Sequence, residues 1–295
     1  MFKITFPISK VTTFVFLPPL ITFVLAYFGA MAGVTGAFLL LPFQLSVLGY
    51  TAPGVSATNF LYNIFAIPGT VFRYAKEGRM NWPLAFIISI GGFPGIVAGY
   101  FIRVKYLVEP RFFKPFVGLV LLYLVWRIGE NILRWGKENV RPAKDAHIKN
   151  IRMGIKRISY IFDGKEYSFD PRFLFFVSVG VGVVGGAYGI GGGAVLAPFC
   201  ISVLRLPVHS VAGASLFGTL VCSVVGVAVY HTGVLSGAVE TRPDYLLGIL
   251  FGMGGVLGGY LGAKTQKHMP ELPIKIGLFV VLSFISMRYI LAVLN

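Results

Sequence analysis

The residues GGAYGIGGGAVLAP, at positions 185–198, lie inside an uncharged apolar run that extends from Phe173 to Leu204. Four glycines are crowded into five of these positions: Gly189, Gly191, Gly192 and Gly193. Glycine weakens a helix interior by about 1 kcal/mol relative to alanine, so this density predicts a break in a membrane-buried helix. A helix that restarts after the break directs free N–H groups and its positive dipole end forward. The stretch therefore predicts an anion site that needs no basic side chain.

A second copy of this stretch lies 156 positions earlier, at residues 29–42, as GAMAGVTGAFLLLP. Residues 29–59 and 185–215 share ten identical positions out of thirty-one. Farther along, Gly95 and Gly99 align with Gly255 and Gly259 after a small shift. The sequence therefore predicts two internal repeats, as in many transporters. The first copy has Thr35 and Ala37 where the second has Gly191 and Gly193, so we expect its break to be stiffer.

Composition places the chain in a membrane. Of its 295 residues, 56% are hydrophobic and only 13% are charged, and no Asp, Glu, Lys or Arg occurs from Val11 to Phe72. These features predict an all-α polytopic membrane protein. The net charge of +15 lies in loops, where the positive-inside rule explains it without nucleic acid. Cys200 and Cys222 lie in apolar runs and form no metal-ligand or disulfide pattern, and we expect no cofactor.

Eight apolar runs divide into two repeats of about four membrane segments each. We expect a first transmembrane repeat at 1–133, a basic cytoplasmic linker at 134–172 and a second repeat at 173–295. The linker ends in an alternating segment centred on Asp163-Gly164, which predicts a β-hairpin with a type I′ turn. The runs themselves are approximately 11–49, 53–72, 82–102, 115–133, 173–204, 206–230, 244–263 and 273–294.

The orientation of the repeats depends on the first run of each half, which exceeds the roughly 20 residues that one crossing needs. If that run returns at its glycines, each half has an odd number of crossings and the repeats are inverted. The basic stretches 73–79, 134–172 and 264–275 then face the cytoplasm, and only the basic segment 103–114 falls on the outside. A parallel arrangement misplaces 264–275 as well, so the loop charges favour inversion.

The paired pattern carries a family resemblance. Each Gly-rich stretch ends in proline and is followed by a small polar triplet, Ala57-Thr58-Asn59 or Gly213-Ala214-Ser215. This pattern resembles the sulfite exporter TauE/SafE family, also called the toluene sulfonate uptake permease family, over both halves. The resemblance implies a non-enzymatic secondary transporter in the inner (plasma) membrane that moves sulfite or organosulfonates, with a homodimer left open. Thr35 and Asn59 depart from the more usual glycine and serine.

Polar residues near the two breaks are the candidates for holding the anion. Ser215 and Thr219 lie one helical turn apart, as do Asn59 and Asn63. Their hydroxyls and amides could bind an oxyanion, although such groups also join helices to one another. The Tyr188 hydroxyl could donate to a sulfonate oxygen or simply fill space. The full candidate set is Gly33, Thr35, Gly36, Asn59, Asn63, Tyr188, Gly189, Gly191, Gly192, Gly193, Ser215 and Thr219.

The charged residues give less information about function than the polar ones. Arg127 is expected to extend to the lipid headgroups or to pair with Glu130. The cores of the apolar runs contain no Asp or Glu, which proton-coupled pumps commonly use. Two other readings stay open at this point. One is an anion channel, and the other is an intramembrane serine hydrolase built from Ser215 and His231.

Overall fold

A computed structural model describes residues 3–31, 35–133, 147–233, 237, 239–265 and 271–291. Helices dominate these residues, and five short strands accompany them. The helices are α1 Leu17–Met31, α2 Ala37–Ser46, α3 Gly54–Ala66, α4 Pro68–Lys76, α5 Trp82–Lys105, α6 Pro110–Leu133, α7 Pro171–Tyr188, α8 Gly193–Ser202, α9 Val208–Thr232, α10 Tyr245–Thr265 and α11 Glu271–Leu291. The strands are β1 Lys3–Thr5, β2 Thr12–Phe14, β3 Ile148–Arg152, β4 Ile158–Phe162 and β5 Lys165–Phe169.

The helices confirm a polytopic membrane protein. Within the described residues, five helices are long and apolar enough to cross a bilayer. They are Trp82–Lys105, Pro110–Glu130, Pro171–Tyr188, Ser210–Thr232 and Tyr245–Gly262. The two shorter apolar helices, Leu17–Ala30 and Ala37–Ser46, belong to the first long run.

Two of the predicted runs are divided differently from our expectation. The run predicted at 11–49 contains strand β2 at its start, paired antiparallel with β1. The run predicted at 53–72 is two helices, because α3 ends at Ala66 and α4 begins at Pro68. Proline has no N–H to continue the ladder of the preceding helix and is favoured in a first helical turn. The second half has a single uninterrupted helix, α9, at the corresponding place.

Glycines spaced four apart bring α5 and α7 into backbone contact. A Cβ added at each of three α5 glycines would meet backbone of α7, at 2.7 Å in the case of Gly91 and the Phe175 carbonyl oxygen. Small residues at this spacing let membrane helices approach closely. The contacts advance together along both helices, so α5 and α7 run parallel. The pairs are Gly91 with Phe175, Gly95 with Val179 and Gly99 with Val183.

Helices α10 and α1 pack in the same way. The pairs here are Gly254 with Pro19, Gly258 with Phe23 and Gly262 with Tyr27, and they again advance in parallel. The sequence alignment pairs Gly99 with Gly259, but the glycine of α10 that contacts α1 is its neighbour Gly258. A Cβ added at Gly259 would meet nothing within 4 Å, whereas Gly258 contacts the backbone of Phe23.

The remaining contacts fix the direction of each helix. Helices α3 and α9 cross antiparallel, because Phe60 meets Gly226 while Asn63 meets Ser223. Helix α10 runs parallel to α3, and α9 runs parallel to α5. Helices α1, α3 and α10 thus run one way through the bundle, and α5, α7 and α9 run the other way.

A three-stranded antiparallel sheet, β3-β4-β5, covers one end of the bundle, which we call the sheet end. The turn between β4 and β5 has positive φ at Asp163 and Gly164, 50° and 73°, as a type I′ hairpin requires. Strand β3 was not predicted. The buried Tyr160 shares a 2.7 Å hydrogen bond with the Ser210 hydroxyl of α9, and burial raises the pKa of this phenol.

The opposite end, which we call the hairpin end, carries the β1-β2 hairpin. The carboxylate of Asp244 accepts the N–H groups of Ile8 at 3.2 Å and Ser9 at 2.9 Å. It also accepts the N–H of Leu247 at 3.1 Å and so caps α10. Phe6 is fully buried beneath the hairpin.

Neighbouring glycines of α10 provide a matched test of this packing. We expect Gly258→Ala to destabilise the fold by about 1–3 kcal/mol, because the methyl group would overlap the backbone of Phe23. Gly259→Ala should be neutral or stabilising by up to about 1 kcal/mol, because it gains helix propensity in open space. Thermal unfolding of the purified protein in detergent measures both. Equal effects of the two substitutions would contradict the α1–α10 packing.

Candidate functional site

The second glycine stretch breaks the chain between α7 and α8. Helix α7 ends at Tyr188, and α8 begins at Gly193. Gly189, Gly191 and Gly192 have φ of 94°, 74° and 78°, a left-handed backbone that favours glycine. A Cβ at Gly191 would also meet the Thr219 carbonyl oxygen at 2.8 Å, so α9 packs directly on the break.

The first break is built differently. Helix α1 ends at Met31 and α2 begins at Ala37, with Gly36 at φ −68° and ψ −10°, an ordinary helical conformation. Gly36 is required by crowding, since a Cβ there would meet the Tyr62 hydroxyl oxygen at 2.8 Å. The candidate Gly33 lies outside the described residues.

The two breaks are joined to each other by hydrogen bonds. The Asn59 amide nitrogen donates to the Ala37 carbonyl at 2.9 Å and to the Gly189 carbonyl at 3.1 Å. The Tyr188 hydroxyl donates to the Phe38 carbonyl at 2.7 Å, and the Ser56 hydroxyl donates to the Ala187 carbonyl at 2.8 Å. In this structure, therefore, Asn59 and Tyr188 hold the breaks together with the donors that we expected to face an anion.

This arrangement brings two positive helix ends to the same place. The N-termini of α2 and α8 lie at Ala37 and Gly193, and neither has a side-chain cap. The N–H groups of Gly191 and Gly192 meet no acceptor among the described residues. Free N–H groups at a helix start attract negative charge.

Several buried polar atoms around the breaks also lack partners within the described part of the chain. They are Thr35 Oγ1, Gln44 Oε1, Asn63 Oδ1 and Ser215 Oγ. Buried polar groups are almost always hydrogen-bonded, so these atoms are available to a bound water or ligand. Thr219 differs from them, because its hydroxyl donates to the Ser215 carbonyl at 2.9 Å.

A narrow crevice lies beside Gly191 and Gly192. Its walls include Ser178 of α7 and Cys222 of α9, which the sequence analysis did not select. Ser223 was not predicted either, and its hydroxyl accepts a hydrogen bond from the Asn63 amide at 3.3 Å. Ser223 follows Ser215 and Thr219 at four-residue spacing, so the helical period could have revealed it.

Of the two alternatives for Arg127, the structure shows the ion pair. Arg127 pairs with Glu130, and a terminal guanidinium nitrogen donates to the Pro198 carbonyl of α8 at 2.7 Å. The serine hydrolase reading fails because Ser215 and His231 are sixteen residues apart on α9, about 24 Å at 1.5 Å per residue.

Comparison with known proteins identifies the family. The model of the sulfite exporter TauE/SafE family matches residues 19–289. A protein of Bacillus subtilis (strain 168) described as "Probable membrane transporter protein YunE" is 24% identical over 271 residues, which cover 89% of this chain and 92% of that protein. A "Probable membrane transporter protein" of Xylella fastidiosa (strain Temecula1) is 26% identical over 252 residues, with coverage of 81% and 82%. No solved structure gives a significant match. The chain therefore belongs to the sulfite exporter TauE/SafE family and is a membrane transporter of that family.

Proposed function

We propose that this transporter is a secondary exporter of small sulfur-containing anions, such as sulfite or organosulfonates, and that the anion binds between the two breaks. The observation that carries the proposal is the cluster of unpartnered groups there. The Ser215 hydroxyl and the N–H groups of Gly191 and Gly192 are buried beside the start of α8 without acceptors among the described residues. An oxyanion would supply the missing acceptors.

This site suits a substrate that must be released again. It offers hydroxyl and backbone donors and two helix dipoles, with no fixed charge to hold the anion tightly. With the cytoplasm negative, export of a monoanion gains about 2.3 kcal/mol per 100 mV, so no coupling carboxylate is required.

The proposal includes two inverted repeats, at 1–133 and 173–295. The helix directions support it, because α1, α3 and α10 run opposite to their counterparts α7, α9 and α5. The ends of α2 and α8 support it too. The Pro42 carbonyl of α2 accepts the Tyr289 hydroxyl at 3.2 Å, and the Pro198 carbonyl of α8 accepts Arg127. Equivalent helices, α11 and α6, provide these two donors.

We further propose that the sheet end faces the cytoplasm in the plasma membrane. The segment 134–172 between the repeats carries ten basic and five acidic residues, and such an excess favours the inside. Transport then requires the breaks to separate alternately, which breaks the hydrogen bonds of Ser56, Asn59 and Tyr188.

Flux through proteoliposomes tests the transport proposal. We expect uptake of a labelled, permanently charged sulfonate to follow an imposed potassium-diffusion potential and to ignore proton or sodium gradients, because no carboxylate is available to couple them in the runs' cores. Flux driven only by a proton or sodium gradient would contradict the proposal. Discrete single-channel currents in planar bilayers would indicate a channel instead.

Two neighbouring hydroxyls on α9 test the site. Ser215→Ala should weaken sulfite binding about ten- to a hundredfold, the equivalent of losing one hydrogen bond to a charged group, at about 1.5–3 kcal/mol. Thr219→Val is the matched control, because the Thr219 hydroxyl already donates to the Ser215 carbonyl. Equilibrium binding to the purified protein measures both variants. Equal losses, or no loss in Ser215→Ala, would remove Ser215 from the site.

A further inference from the structure

Arg103, near the hairpin end of α5, is a fully buried cation. Its two terminal nitrogens donate to backbone carbonyls, those of Leu107 and Thr51, the second at 3.2 Å. Its guanidinium stacks over the ring of Phe113 at 3.6 Å, and its Nε has no partner within the described residues. These contacts satisfy part of its hydrogen-bonding capacity but supply no counter-charge.

The carboxylates at this end are engaged elsewhere. Asp244 accepts three backbone N–H groups, as described above, and Glu240 pairs with Arg242 at 2.9 Å. Within the described part of the chain, no carboxylate forms an ion pair with Arg103. An unpaired buried charge is strongly unfavourable, so ionisable residues at membrane depth usually mark an ion path or a ligand.

Other unpartnered donors lie beside Arg103. The guanidinium is within electrostatic range of the buried phenol of Tyr50, whose hydroxyl has no hydrogen-bond partner among the described residues. A Cβ added at Gly54 would lie 2.5 Å from that hydroxyl oxygen, so Tyr50 touches the first residue of α3. Helix α3 has no side-chain cap, so its positive end lies at Gly54, beside the Tyr50 hydroxyl.

Arg103 lies close to the second break, on the side that faces the hairpin end. A Cβ at Gly99 would meet the Ala187 nitrogen at 2.8 Å, next to Tyr188 at the end of α7. Arg103 lies one turn farther along α5, about 6 Å toward the hairpin end. Arg103 therefore lies between the end of α7 and the hairpin end.

We propose that Arg103, Tyr50 and the N-terminus of α3 form a second anion site, which receives a sulfur oxyanion between the breaks and the hairpin end. The inference rests on the proposed function, because it takes the same anion from the first site. The anion supplies the counter-charge that Arg103 lacks, and Arg103 Nε and the Tyr50 hydroxyl supply hydrogen bonds to its oxygens. Because Arg103 is fully buried here, the loop at Thr51 must move to admit the anion.

Stoichiometric binding of ³⁵S-labelled thiosulfate to the full-length purified protein tests the second site. Wild-type protein should bind two anions per chain. Arg103→Met should bind one, with the affinity of the remaining site unchanged, whereas Arg103→Lys should keep both because it retains the charge. Arg288→Met is the matched control, since Arg288 is an exposed arginine in the last turn of α11, and it should bind two.

The outcomes separate the two proposals. One anion per chain in both wild type and Arg103→Met would overturn the second site and leave the first intact, and so would two in both. No binding to wild type would overturn the first site, and the second with it. If Arg103→Met fails to fold, Tyr50→Phe decides the question. It should weaken only the second site, about tenfold, and unchanged affinity at both sites would overturn the inference.

Discussion

Backbone groups released from a helix inside a bilayer must find new partners, and this constraint organises the molecule. The two broken segments satisfy one another. Asn59 joins the carbonyls of Ala37 and Gly189, and Tyr188 and Ser56 add bonds in opposite directions across the same boundary. At the start of α8 and on α9, the groups that remain unsatisfied are donors, namely the N–H groups of Gly191 and Gly192 and the Ser215 hydroxyl. The unpartnered amide oxygens of Gln44 and Asn63 are acceptors, so the part of the site suited to an anion is the start of α8 together with Ser215.

The surrounding helices make this meeting possible by approaching closely. Glycines of α5 and α10 admit the backbones of α7 and α1, which places each break beside the other half of the chain. Arg127 and Tyr289 then hold the far parts of α8 and α2 through the carbonyls of Pro198 and Pro42. The contacts of Arg127 and Tyr289 are therefore peripheral to the breaks, and the hydrogen bonds that the proposed transport cycle must break are central.

Much of this could be predicted from the sequence, because some residues have few conformational options. The glycine density located the second break, and Asp163-Gly164 located the hairpin turn, where positive φ is observed at both residues. Contacts between distant segments could not be predicted. The donors of Asn59 and Tyr188 bind carbonyls 22 to 150 residues away, which no local pattern reveals. The face of α10 that packs against α1 could not be predicted either, because adjacent glycines such as Gly258 and Gly259 are indistinguishable in sequence. Arg103 begins the basic segment 103–114, which the sequence predicts as a loop, whereas the structure places Arg103 inside α5 and buries it completely.

The central claim is that an oxyanion binds where the two breaks meet. A crystal structure of the protein soaked with selenite, with selenium located by its anomalous scattering, tests this most directly. We expect a selenium peak within hydrogen-bonding reach of Ser215 Oγ and the N–H groups of Gly191 and Gly192. Peaks confined to basic surfaces such as the sheet, with none at the breaks, would contradict it.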